Sequence, residues 1–88
     1  MVEAPERVLK IYFCLGGSGR TILEIYNTAG ERIRVLFDEM TSEGSQYHLE
    51  WDLKNMKGDD VASGIYIVHF TPPAGEFVRD AKVLVLRP

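Results

Sequence analysis

Eighty-eight residues, 45% hydrophobic and 26% charged, carry a formal net charge of −3. That length allows one domain near the lower limit for folding on a single core, and the apolar share excludes a disordered chain. The acidic balance argues against nucleic acid as a partner, since Lys and Arg are nowhere concentrated to meet phosphates.

In chain order, Met1 to Glu6 is polar and acidic and reads as a linker or frayed N-terminus, not a signal peptide; the folded domain is expected over 7–88. Arg7 to Leu15 reads as a first strand, with Leu9, Ile11, Phe13 and Leu15 toward the core and Lys10, Tyr12 and Cys14 on the other face. Its longest apolar run, Ile11 to Leu15, is far below the ~20 residues of a membrane helix. Gly16-Gly17-Ser18-Gly19 ends the strand. Arg20 to Asn27 is a second strand with Leu23 and Ile25 inward. Asn27-Thr28-Ala29-Gly30 is a hairpin connection with Gly30 at a positive φ. The third strand runs from Arg32 to Asp38, and Leu36-Phe37 breaks its alternation, which marks a bulge or a strand end. Glu39 to Gln46 is a polar connector with room for a single helical turn.

Tyr47 to Asp52 and Ile65 to Phe70 form a central strand–loop–strand unit. Inward-pointing Tyr47, Trp51, Tyr66 and Phe70 would then meet in one core. Thr71 to Gly75 is a turn, because its two prolines cannot sit inside a paired strand. Glu76 to Arg87 is a last strand, buried toward Val83-Leu84-Val85-Leu86. About six short strands without helical period or internal repeat argue for an all-β sandwich or small barrel.

Candidate chemistry is sparse. Asp52, Asn55, Asp59 and Asp60 share one loop and could offer oxygens to calcium, although their spacing departs from the calcium-loop pattern and Asx turns explain them as well. His48 and His69 could begin a zinc site if the two central strands pair; solvent-facing strand histidines are the simpler account. Cys14 is the sole cysteine, so no intramolecular disulfide forms, and no histidine is placed beside it to make a nucleophile. The Gly16–Arg20 stretch lacks the lysine and following helix of a phosphate loop. Tyr12 and Tyr26 could form a sugar-stacking strip, or serve as cross-strand packing. No catalytic, cofactor-binding or metal-ligating set is assigned.

Three fragments together are similar to one family: Leu23-Glu24-Ile25-Tyr26-Asn27-Thr28-Ala29-Gly30-Glu31-Arg32-Ile33-Arg34, Leu49-Glu50-Trp51-Asp52 and Val61-Ala62-Ser63-Gly64-Ile65-Tyr66, with Lys82-Val83-Leu84-Val85-Leu86 as the close. They resemble the immunoglobulin-like domain of the flagellar hook-capping family and related C-terminal modules of secreted bacterial proteins, some of them sorting signals for type IX (Por) secretion. The chain departs from the pattern in having Leu53 where a glycine usually follows Trp-Asp, in Glu31 between Gly30 and Arg32, and in lacking an Asn-Pro-Phe segment before the first strand. The resemblance implies an immunoglobulin/fibronectin-III-like antiparallel sandwich of six to seven strands, with Tyr26, Gly30, Trp51, Asp52, Ala62, Ser63, Gly64 and Tyr66 as fold-making residues.

It also implies a non-enzymatic accessory module of a larger exported protein, at the cell surface or outside it. Its partner would be protein: a neighbouring domain, assembly machinery or secretion machinery. An exposed sheet edge would also permit a homodimer. A carbohydrate-binding module on a secreted hydrolase is the alternative.

Overall fold

A computed structural model describes residues 2–4, 8–73 and 78–86 of the chain. Among them lie seven strands and no helix: β1 (Val2–Ala4), β2 (Leu9–Cys14), β3 (Gly19–Asn27), β4 (Arg32–Thr41), β5 (Gln46–Trp51), β6 (Gly64–Thr71) and β7 (Arg79–Val85). They form a five-stranded sheet in the order β1-β7-β6-β3-β4 and a two-stranded sheet of β2 and β5. The neighbours are antiparallel except β1, which runs parallel to β7 through Val2↔Val83. The expected all-β sandwich is therefore present. Residues 1–6, read as a linker, contain the short β1.

Period-two patterning explains how the sheets face each other. Leu9 and Leu15 are buried, Ile11 and Phe13 pack on the core, and Lys10, Tyr12 and Cys14 are exposed, as the alternation predicts. The same holds for Leu23 and Ile25 on β3, Val68 on β6, and Val83 and Val85 on β7, all buried.

The central strand–loop–strand unit is split between the sheets: β5 pairs with β2 while β6 pairs with β3 and β7, so the loop from 52 to 63 crosses from one to the other. The third strand does not stop at Asp38, and no helical turn follows it; pairing continues to Gly19↔Thr41. Of the two readings of Leu36-Phe37, a bulge or a strand end, the bulge is the one present: Leu36 is its extra residue, since Leu23 opposes Phe37 and Glu24 opposes Val35. Thr71 also belongs to β6; part of the expected Thr71–Gly75 turn, with Glu76, Phe77 and Arg87 of the last strand, lies outside the described residues.

The aromatic rings divide into two groups. Trp51 and Tyr66 meet edge to face at 5.6 Å between centroids. Phe13 sits among Phe37, Tyr47 and Phe70 at 5.2 to 5.8 Å, with Tyr47 stacked on it. The division follows from β2–β5 register, which places Leu9 opposite Trp51 and Phe13 opposite Tyr47. Four residues at ~3.4 Å each separate the two groups by ~13 Å. Between them lie the aliphatic side chains of Leu23, Ile25 and Val68.

One buried polar pair closes the β3–β4 end. Thr41 Oγ1 donates to the Gly19 carbonyl at 3.0 Å, so Thr21 Oγ1 donates to Thr41 across 2.8 Å. On the outer face Arg20 grips Asp38 with two parallel bonds of 2.8 Å. The hydrogen bonds from Arg20, and then its charge, hold the Asp38 carboxyl below the usual carboxylate range.

Two outcomes follow from this packing. Trp51 has no exposed surface, and Trp51→Ala is expected to lower unfolding free energy by ~3–5 kcal/mol in urea denaturation. The depressed Asp38 pKa means its ion pair stabilises the fold above the unfolded-state carboxyl pKa and loses that effect as pH falls through the folded value. Arg20→Ala should therefore lower the urea midpoint slightly at pH 7, approach the parent as pH falls through the folded carboxyl value, and lose its difference in 1 M salt.

Candidate functional site

The motif residues converge where β5 leaves the small sheet. The Trp51 indole N–H donates to the Lys54 carbonyl at 3.0 Å, and Arg34 Nη1 donates to the same oxygen at 3.2 Å. Arg34 Nη1 also reaches Asp52 Oδ1 at 2.8 Å, and that oxygen accepts the Lys54 amide at 3.1 Å. The corner is thereby tied to β4. Asp52 receives the Lys54 amide two residues on, as an Asx turn requires. Arg34 and Lys54 are partners that sequence reasoning missed, because a backbone carbonyl leaves no trace in residue type.

Leu53 stands at φ +60 and is almost fully buried. This is the position where the resembled pattern carries glycine. A left-handed non-glycine residue costs roughly 1–2 kcal/mol, and a buried leucine side chain returns about 1.5–3 kcal/mol. The substitution therefore holds because the side chain turns inward. Its carbonyl accepts from the Val61 amide at 2.9 Å, closing the crossing loop.

At the far end of that loop Tyr66 Oη donates to the Ala62 carbonyl at 2.8 Å. A strand-start tyrosine bonding back to upstream backbone is the tyrosine corner of immunoglobulin-like domains. Ala62 and Ser63 are exposed, and Gly64 has φ +156, a backbone conformation that residues with a side chain rarely adopt. Gly30 shares that positive sign. It sits at φ +85 in the 27–31 turn, where Asn27 Oδ1 accepts the amides of Ala29 and Glu31 and a side chain would meet open space. Backbone conformation, not crowding, selects glycine there.

Tyr26 lies on the outer face of the five-stranded sheet, edge-on to His69 and donating to Glu24 Oε2 at 3.2 Å. Desolvation first, then the Glu24 carboxylate, raises its phenol pKa above the ordinary value. Tyr12 lies on the outer face of the other sheet, 62% exposed and edge-on to His48. The two tyrosines are on opposite sides of the sandwich and form no common strip.

The candidate metal groups are similarly separated. His48 is on β5 and His69 on β6, in different sheets, so they do not meet; His69 Nδ1 pairs with Asp80. In the crossing loop Asn55 Oδ1 accepts the amides of Lys57 and Asp59, and Lys54 Nζ lies 3.2 Å from Asp60. Asp52, Asn55 and Asp60 thus face amides and cations. Cys14 is exposed on the outer face of β2. Among the described residues no group of three or more His, Cys, Asp or Glu could hold a metal ion.

A concavity lies apart from the histidines and the crossing loop. A groove of about 590 Å³ runs beside β2, between Tyr12 and Cys14 on one side and Phe70, Pro72, Arg79 and Ala81 on the other. It exists because the small sheet covers only part of the large one: Val83 and Val85 on β7 are buried, whereas Arg79 and Ala81 in the same phase are exposed. The sequence held a signal for it. An arginine and an alanine precede two valines in one alternating set, which marks an uncovered strand end.

The Leu53 geometry yields a reversed substitution order. Leu53→Ala loses burial and keeps the left-handed backbone; Leu53→Gly loses the same burial and relieves it. Chemical denaturation should find the glycine variant more stable than the alanine one by about 1 kcal/mol, opposite to the usual ranking of the two residues.

No family model matches the chain. No curated protein matches it. Among solved structures, it is similar to the crystal structure of dimeric latent PorU from Porphyromonas gingivalis, with a TM-score of 0.67 and 19% identity. The alignment covers 93% of this chain and 8% of that one, so the chain spans a small fraction of the neighbour's length. At that identity the likeness establishes a shared β-sandwich fold.

Proposed function

We propose that this chain is a non-catalytic β-sandwich accessory module of a larger exported bacterial protein, acting through contacts with protein in assembly, scaffolding or cell-surface sorting. The observation that carries this reading is what the motif residues do. Trp51, Asp52 and Tyr66 direct their polar atoms into the crossing loop and β4, where they close the sandwich. A motif whose indole N–H, phenol and carboxylate Oδ1 are engaged by the fold is one that makes a scaffold, and function then lies on the surface the scaffold presents.

Two further observations support it. The sandwich corresponds to 8% of a much longer chain, as expected of a module. The name of that neighbour, PorU, accords with the resemblance of the Tyr26–Arg34, Trp51-Asp52 and Ala62–Tyr66 fragments to type IX (Por) sorting modules. Export to the cell surface belongs to the same reading.

Fusing the chain to the C-terminus of a periplasmic reporter, in a bacterium with type IX machinery, should move the reporter to the cell surface; periplasmic retention would reject the sorting role. Calorimetry against a polysaccharide panel should give no saturable heat, and binding would favour a carbohydrate module instead. Tryptophan fluorescence is a poor substitute, because Trp51 has no exposed face on which a sugar could stack.

A further inference from the structure

We propose that the open edge of β2 takes up an extended segment of a partner protein as a third strand of the small sheet, with aliphatic side chains at alternate positions in the neighbouring groove and a carboxylate in the same phase meeting Arg79. This deepens the module reading and rests on it, by naming the surface and the chemistry of the protein that it contacts.

The backbone supplies the first argument. Leu15 N donates to Ser45 O at 3.1 Å, so Leu15 and Ser45 form a hydrogen-bonded pair. In an antiparallel ladder such pairs alternate. Phe13, Ile11 and Leu9 therefore direct their amides and carbonyls toward β5, and those of Lys10, Tyr12 and Cys14 point away from it. No described strand lies on that side, since the sheet consists of β2 and β5 alone. An added strand would find three residues' worth of free donors and acceptors, the requirement for β-augmentation.

The groove supplies the second. It runs beside the same edge, and its floor is the inner face of β6 and β7, including Val68, Phe70 and Ala81. A strand added to β2 would direct every second side chain onto that floor. Arg79 stands opposite Phe70 in the register, at the Phe13 end of β2, exposed and in no ion pair among the described residues. A cation at the end of an apolar trough selects a carboxylate there and aliphatic groups along the rest.

Other edges are less suited. Met56 N donates to the Ile33 carbonyl, and Met56 Sδ accepts the Val35 amide, so the crossing loop covers part of β4. The far edge of β5 carries exposed Gln46, His48 and Glu50. A second copy pairing β2 to β2 would bring its own overhanging β7 and β1 into the space already occupied by the first. A lone extended segment brings no such overhang.

The test is an NMR titration with the peptide acetyl-Glu-Thr-Val-Thr-Val-Thr-Val-amide, whose glutamate and valines share one phase and whose antiparallel docking puts glutamate near Arg79. Saturable binding is expected, with amide exchange at Lys10, Tyr12 and Cys14 slowed at least tenfold. Tyr12→Pro removes an edge donor that the fold does not use and should abolish binding. Ala81→Trp fills the groove without altering β2 and should do the same, so the result survives if the proline variant fails to fold. Arg79→Glu should weaken the peptide at least tenfold and favour its lysine analogue. Absence of saturable binding to the folded parent, protection mapping to β4 or β5, or a peptide-free dimer that Tyr12→Pro dissociates would each overturn the proposal. Those failures leave the calorimetry and export results standing, whereas polysaccharide binding would remove the module reading without altering β2 exchange.

Discussion

A tryptophan with no solvent-exposed surface must find an acceptor for its indole N–H, or bear the full penalty of an unsatisfied buried donor, about 1–3 kcal/mol. Trp51 finds the Lys54 carbonyl three residues on, which fixes how the chain turns as it leaves β5. The same carbonyl accepts Arg34, and Arg34 holds Asp52, so one oxygen joins the small sheet, the crossing loop and β4. Leu53 is forced to positive φ within this turn and buries its side chain in return. The inter-sheet connection is thus specified by polar geometry, while apolar area supplies the stabilisation around it.

Strand identity was readable where alternation is strict. Leu9-Ile11-Phe13-Leu15 and Tyr47-Leu49-Trp51 face inward because a one-residue slip would expose every one of them. Pairing was not readable, since nothing in the β5 or β6 pattern says that the two lie in different sheets. The stretch from Leu53 to Gly64 reads as a loop without saying which strands it joins, and the decisive bond to Arg34 is long-range. The β4 extension was hidden by composition: Asp38, Glu39, Met40 and Thr41 form a strand because they oppose β3, not through strong local preference. The fold-making motif residues were legible. The groove was legible only in part: Arg79 and Ala81 ahead of Val83 and Val85 mark an uncovered strand end, but which strands fail to cover it is set by pairing.

The unequal strand count of the two sheets shapes the surface of the described residues more than any single side chain. Two strands cannot cover the inner face of five, so apolar surface and an unpaired edge are left side by side. Natural sheets commonly blunt such edges with charge, bulges or a covering loop. This chain does so at β4, where the crossing loop lies along the strand and Asp38 and Glu39 are exposed, whereas among the described residues no loop covers β2 and Lys10 is its one charge. The contrast within one molecule is what directs attention to β2.

The pairing of β1 with β7 brings together residues from opposite ends of the described chain. That edge can assemble only after the intervening strands are in place, because bringing its ends together costs chain entropy that local contacts must first offset. The β3–β4 hairpin, closed by the 27–31 turn, is the natural early unit, and the β1 edge forms last. For a topology dominated by distant pairings, folding falls on the millisecond-to-second scale. Such a chain has an interval in which it remains threadable before its final edge locks.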